Sequence, residues 1–149
     1  MARQILEHPF LAELVRLARQ LGYEVAISAD EIDNPVEIGG VTLFERGQIH
    51  LVPGRGALDY FQILTHELAH VLLHNDRSLR EQTTRLQRES EADAVVRRVL
   101  DARAALGDPH LSSLRTHLAP VFEPKHQIVE AAQMIIACLP PGYFYGFPA

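Results

Sequence analysis

Residues 66–70 read His66-Glu67-Leu68-Ala69-His70. On an α-helix, side chains four apart stand one turn above each other on the same face, so both imidazoles can reach a single cation. Glu67 is one step round from His66. It is near enough to take a proton from a water on that cation without competing for the cation itself. The spacing therefore predicts two zinc ligands, His66 and His70, and a general base, Glu67. A five-residue pattern also arises by chance, but its setting favours the metal. Phe61–Thr65 before it and Val71–Leu73 after it are largely apolar. A buried helix with two histidines and a glutamate on one side leaves costly unpaired polar groups unless they share a partner.

A hydrolytic zinc site needs a third protein ligand and an open position for water. Asp76 stands where some HExxH proteins keep that ligand, but there the helix ends sharply at a glycine three residues after the second histidine. Here that residue is Leu73, which turns less readily. The better candidates are in Glu89-Ser90-Glu91-Ala92-Asp93. Glu89 and Asp93 form an i, i+4 pair, so one carboxylate can ligate while the other orients a ligand histidine. Glu91 points about 200° away from Glu89 on a regular helix, so the two cannot both ligate. Glu89 is preferred over Glu91 as third ligand because only Glu89 has an acid one turn later, with Asp93 as the orienting group. The competing reading is a solvated charged face, in which Arg85, Arg88, Arg97 and Arg98 pair with these acids.

Other polar residues read as ordinary. His74 extends the series of histidines, yet it stands at a helix end and is expected to hydrogen-bond locally. His117, His126, Tyr60 and Tyr143 are candidate oxyanion stabilisers, each of them better read as a surface or packing residue. Cys138 reads as a small core residue rather than a nucleophile.

These side chains need a scaffold. Pro9–Leu21 places Phe10, Leu14, Leu17, Ala18 and Leu21 at helical spacing before Gly22. From Tyr23 the period changes to two. Three short strands are expected between about 23 and 52, broken by Asp33-Asn34-Pro35 and Arg46-Gly47, and by their alternation they are read as one antiparallel sheet. The remainder reads as helical: the HExxH helix at 57–74, a charged second ligand helix at about 79–106, a short helix at Leu111–Leu118 and a last one at Glu123–Leu139. The tail holds Tyr143, Phe144, Tyr145 and Phe147, expected to pack over the sheet edge. The fold class is α+β: a small three-stranded sheet on a helical core with the HExxH helix at its centre, in one domain spanning 1–149.

Composition narrows the function. With 149 residues the chain suits a single domain, and its 47% hydrophobic and 22% charged residues are ordinary for a globular one. Fourteen basic residues against nineteen acidic ones give a net charge of −5, which disfavours nucleic-acid binding as the main role. One cysteine excludes an intramolecular disulfide framework, so any metal site uses imidazole and carboxylate. Arg3, Glu7, Glu13, Arg16 and Arg19 interrupt any signal-peptide core, and Met134–Ala149 is too short and too rich in proline and glycine to span a bilayer. A cytoplasmic protein without a membrane partner is expected.

With His66–His74 and Glu89–Asp93 in hand, the chain resembles the ImmA/IrrE family of zincin-like metallopeptidases, whose pattern is close to HELxHxLLH followed by ExEA[DN]. The resemblance covers roughly residues 9–106. It implies that His66, His70 and Glu89 are zinc ligands, Glu67 the catalytic base and Asp93 the partner of a ligand histidine. It further implies a protein substrate, a transcriptional repressor of a mobile element or stress regulon. The continuation Val95–Leu100 is also similar to the zincin domain of ArdC-type antirestriction proteins. Two other readings thus stand beside a peptidase: a catalytically silent zinc-binding interaction module and an antirestriction-type accessory protein.

Overall fold

The computed structural model describes residues 2–33, 38–112, 114 and 125–144. Helix α1 (Ala2–Ile5) precedes α2 (Pro9–Gln20), where Pro9 occupies the first turn and the His8 ring accepts from the Phe10 amide. Strands β1 (Glu24–Ile27), β2 (Gly40–Leu43) and β3 (Gln48–Leu51) follow. Then come α3 (Ala57–His74), α4 (Arg77–Gln82), α5 (Arg85–Ala105), α6 (Pro109–Ser112) and α7 (His126–Cys138). The α+β class expected from the sequence is the observed one.

The sheet differs from the expected antiparallel arrangement. Its order is β1-β3-β2, with β1 parallel to β3 and only the β2–β3 hairpin antiparallel. Alternation within each strand carries no record of who pairs with whom. Ile49 and Leu51 are fully buried, whereas β1 alternates exposed and half-buried residues and β2 is half-buried throughout, so β3 takes the centre. The 12-residue connection between β1 and β2 is long enough for that exchange of order. The β2–β3 turn closes on Gly47, whose φ of +62° and contact with the Gly22 carbonyl leave no room for a side chain.

The expected charged helix at 79–106 is two helices. Thr83 and Thr84 are extended, and the Thr84 hydroxyl accepts from the Gln87 amide to start α5 afresh. Asp76, the rejected third ligand, caps α4 by accepting from the Ser78 amide at 2.9 Å. The described part of the last helix begins at His126; Glu123 and Pro124 of its expected span, and residues 113 and 115–118 of the expected short helix with His117 among them, lie outside the described residues.

Helix α3 is the centre of the core. Phe61, Leu64, Leu68 and Ala69 are fully buried, with Phe10, Leu11 and Leu14 of α2 and Ala92, Val95, Val99 and Leu100 of α5 around them. Ala92 and Ala94 let α5 approach closely, which brings its acids to the histidines. Phe144 is not on the sheet edge as expected. It is fully buried against Phe10 and Phe61 at ring distances of 5.2 and 5.6 Å, its amide donating to Asp108 at 2.8 Å. Tyr145 and Phe147 lie outside the described residues.

Candidate metal centre

α3 presents His66, Glu67 and His70, and α5 presents Glu89 and Asp93 opposite them. The Nε2 atoms of His66 and His70 are 3.1 Å apart. Glu89 reaches both: Oε2 is 2.7 Å from His66 Nε2 and Oε1 is 3.3 Å from His70 Nε2. Four ligands held about 2.1 Å from a tetrahedral zinc are separated by edges of about 3.4 Å, so these three donors sit near the spacing of one tetrahedral face.

The hydrogen bonds behind the rings say which nitrogen is free. Asp93 Oδ1 accepts from His66 Nδ1 at 2.9 Å, so that the lone pair of a neutral His66 is on Nε2. On the other ring, His70 Nδ1 is 3.0 Å from His74 Nδ1, and His74 Nε2 is 3.0 Å from Glu91 Oε1. A carboxylate only accepts, so His74 carries its proton on Nε2 and offers Nδ1 as acceptor. His70 then donates from Nδ1 and keeps its lone pair on Nε2. Two imidazole lone pairs and a carboxylate facing one another repel unless a proton or a cation lies between them. The donor set, its spacing and its tautomers fit zinc.

Electrostatics agree. Burial pulls the His66 imidazole down, but hydrogen bonds to Asp93 and Glu89 and the charges of Glu67 and Glu89 outweigh it and push it up to about 10. The same bonds from His66 and His70 hold Glu89 well below the usual carboxylate range. Without a metal the pocket thus takes up a positive charge as a proton.

Glu67 stands beside this set. One ligand atom each from His66, Glu67 and His70 lie within 4.8 Å of one another, which makes Glu67 a second carboxylate in reach of a cation. Glu89 is the better ligand, because its oxygens approach both Nε2 atoms directly, while Glu67 Oε1 accepts from the Thr42 hydroxyl at 2.9 Å. Burial pushes the Glu67 carboxyl up, partly offset by the charges of His66 and His70 and by the Thr42 bond. A carboxyl raised this way can both take and return a proton.

The group opens into a cleft of about 600 Å³ whose walls include Gly40, Thr42, Ile63, Arg85 and Val96. Among the described residues β2 pairs with β3 alone, so the strand bordering the cleft is an edge.

The structure thus brings together His66, Glu67, His70, Glu89 and Asp93. It keeps three of the oxyanion candidates, Tyr60, His126 and Tyr143, away. Tyr60 is buried, its hydroxyl donating to the Val52 carbonyl at 2.7 Å; His126 is exposed beside Glu130; Tyr143 lies against Gly107. Cys138 has its thiol pushed up to about 11 by burial, which leaves it unreactive. Sequence reasoning missed Thr42, which gave no local signal. His74 stands at the end of α3 and bonds locally to His70, as expected, and Glu91 faces away from Glu89, toward His74.

Among the described residues no helix is long and apolar enough to cross a membrane. Neither a protein-family model, nor a curated protein, nor a solved structure matches this chain.

Proposed function

We propose that this chain is a zinc-dependent endopeptidase of the zincin type, of the kind its motifs resemble in the ImmA/IrrE family. The observation that carries the reading is the convergence of His66 Nε2, His70 Nε2 and the Glu89 carboxylate, with Glu67 alongside and a cleft in front. His66, His70 and Glu89 would hold the ion, which supplies Lewis acidity toward a water and a peptide carbonyl when bound.

The chain's own residues do the rest. Glu67, tethered by Thr42, takes a proton from the attacking water as its oxygen adds to the carbonyl carbon. It then returns that proton to the amine nitrogen as the C–N bond breaks. Asp93 holds the His66 ring so that Nε2 faces the site. Among the described residues the outer edge of β2 has no strand partner, and its backbone donors and acceptors could serve an extended substrate segment, which supports a protein substrate over a small molecule. By the same resemblance, that protein is a cytoplasmic transcriptional repressor of a mobile element or stress regulon.

The test is cleavage of a library of unstructured peptides by the wild type and by Glu67→Gln, with zinc content measured in both. The reading expects cleavage by the wild type alone and one zinc in each. Equal zinc with no cleavage by either protein would favour a silent zinc-binding module instead.

A further inference from the structure

His74 has no role in the chemistry above, yet it is one of the most buried polar residues, at 1% exposure. Both ring nitrogens are engaged. Nδ1 faces His70 Nδ1 at 3.0 Å and Nε2 faces Glu91 Oε1 at 3.0 Å. The second Glu91 oxygen accepts from Lys125 Nζ at 2.8 Å, at the start of α7. Glu91 does not turn toward His66, in contrast to Glu89 two residues earlier.

We infer that His74, Glu91 and Lys125 form a positioning relay that fixes the tautomer and orientation of His70, and so sets how tightly the centre holds zinc. This inference rests on the reading of His66, His70 and Glu89 as the metal site.

The logic is one of donors and acceptors. Lys125 donates to Glu91, which orients that carboxylate toward His74. Glu91 can only accept, so His74 must donate from Nε2 and therefore accept at Nδ1. Among the described residues the donor placed to fill Nδ1 is His70 Nδ1–H. That bond leaves His70 Nε2 bare and aimed at His66 Nε2 and Glu89. Asp93 does the same for His66 in one step, and His70 needs more steps because its back faces the next turn of its own helix. Each of the two imidazoles therefore ends on a carboxylate of α5, and residues 89, 91 and 93 divide the work: one toward the metal and one behind each ring. Without Glu91 the His74 proton can move to Nδ1, where it would oppose the His70 proton and favour a His70 tautomer with a protonated, non-ligating Nε2.

Zinc dissociation constants, measured by competition with a chromophoric chelator, test this in the full chain. The comparison is between the wild type, His74→Leu, His74→Gln, Glu91→Ala and Glu91→Gln. Loss of a group that orients a ligand histidine weakens metal binding about 10–100-fold, and that loss is expected for His74→Leu and Glu91→Ala. His74→Gln keeps one donor and one acceptor and should recover most of it, as should Glu91→Gln, which keeps an acceptor. Glu91 is at the surface side of the relay, so Glu91→Ala remains informative if the buried His74→Leu fails to fold. Nitrogen-15 spectra of the zinc-loaded wild type provide the second reading: a proton on His70 Nδ1 with a scalar coupling across the hydrogen bond to His74 Nδ1. Wild-type affinity in Glu91→Ala and in a folded His74→Leu, or a His70 proton on Nε2, would overturn the relay while leaving the metal site standing. A wild type that binds no zinc would overturn both.

Discussion

The Thr42 hydroxyl, on the edge strand β2, donates to the Glu67 carboxylate on α3 at 2.9 Å. That bond joins the strand along which a substrate would lie to the group that would move its protons. A hydrogen bond to a charged acceptor in a buried setting contributes about 1.5–3 kcal/mol, which as barrier corresponds to roughly tenfold or more in rate. Thr42→Val should lower kcat by about that factor with zinc content unchanged, and Thr42→Ser should restore it. Steady-state kinetics with zinc analysis on the same samples checks this. A Thr42→Val enzyme with full kcat would mean that Glu67 is not held this way.

Two acids of α5, Glu89 and Asp93, should separate in a zinc competition assay. Glu89→Ala removes a ligand and should abolish tight binding. Asp93→Ala removes the acceptor behind His66 and should weaken binding about 10–100-fold. Gln87, exposed and two residues before Glu89, is the control, and Gln87→Ala should match the wild type. An Asp93→Ala protein that loses more affinity than Glu89→Ala would reverse the assignment.

Zinc binding should release a proton. The metal-free His66 imidazole lies at about 10, so at neutral pH it is charged, and ligation needs it neutral. Calorimetry at pH 7–8 in buffers of different ionisation enthalpy should give about one proton released per zinc, and affinity should rise with pH until about 10. The sign for stability is the opposite. The raised value means His66 stabilises the metal-free fold fully below its ordinary value of 6.5, a contribution lost as pH rises through about 10. Zinc uptake with no proton released would contradict the charged metal-free state.

Gly40 marks how closely β2 approaches α3. A Cβ there would stand 2.9 Å from Ile63 Cγ2, 3.1 Å from the His50 carbonyl and 3.3 Å from Glu67 Cγ. Gly40→Ala should push the strand and helix apart and cost about 1–3 kcal/mol, seen as a drop in Tm of roughly 3–10 °C by scanning calorimetry. Activity should fall further than stability does, because Glu67 is one of the displaced groups. An unchanged Tm would mean that Ile63 repacks without cost.

What could be read before folding was what depends on near neighbours in sequence. His66 and His70 share a face because a helix repeats every 3.6 residues, and the apolar run around them identifies the helix. Glu89 and Asp93 come from the same rule one helix later. The parallel pairing of β1 with β3 could not be read, since it depends on which strand is most apolar across the whole sheet. The bond from Thr42 to Glu67 spans 25 residues and leaves no local pattern. His74 is the instructive case. Its spacing was visible, but its purpose rests on Glu91, 17 residues away on another helix.

The most direct test is the zinc content of wild type, Glu67→Gln and Glu89→Ala after gel filtration, with peptide cleavage assayed on the same fractions. The account predicts one zinc per chain in the first two, none in the third, and cleavage by the wild type alone. Zinc retained by Glu89→Ala, or absent from a folded wild type supplied with it, would contradict the proposed centre.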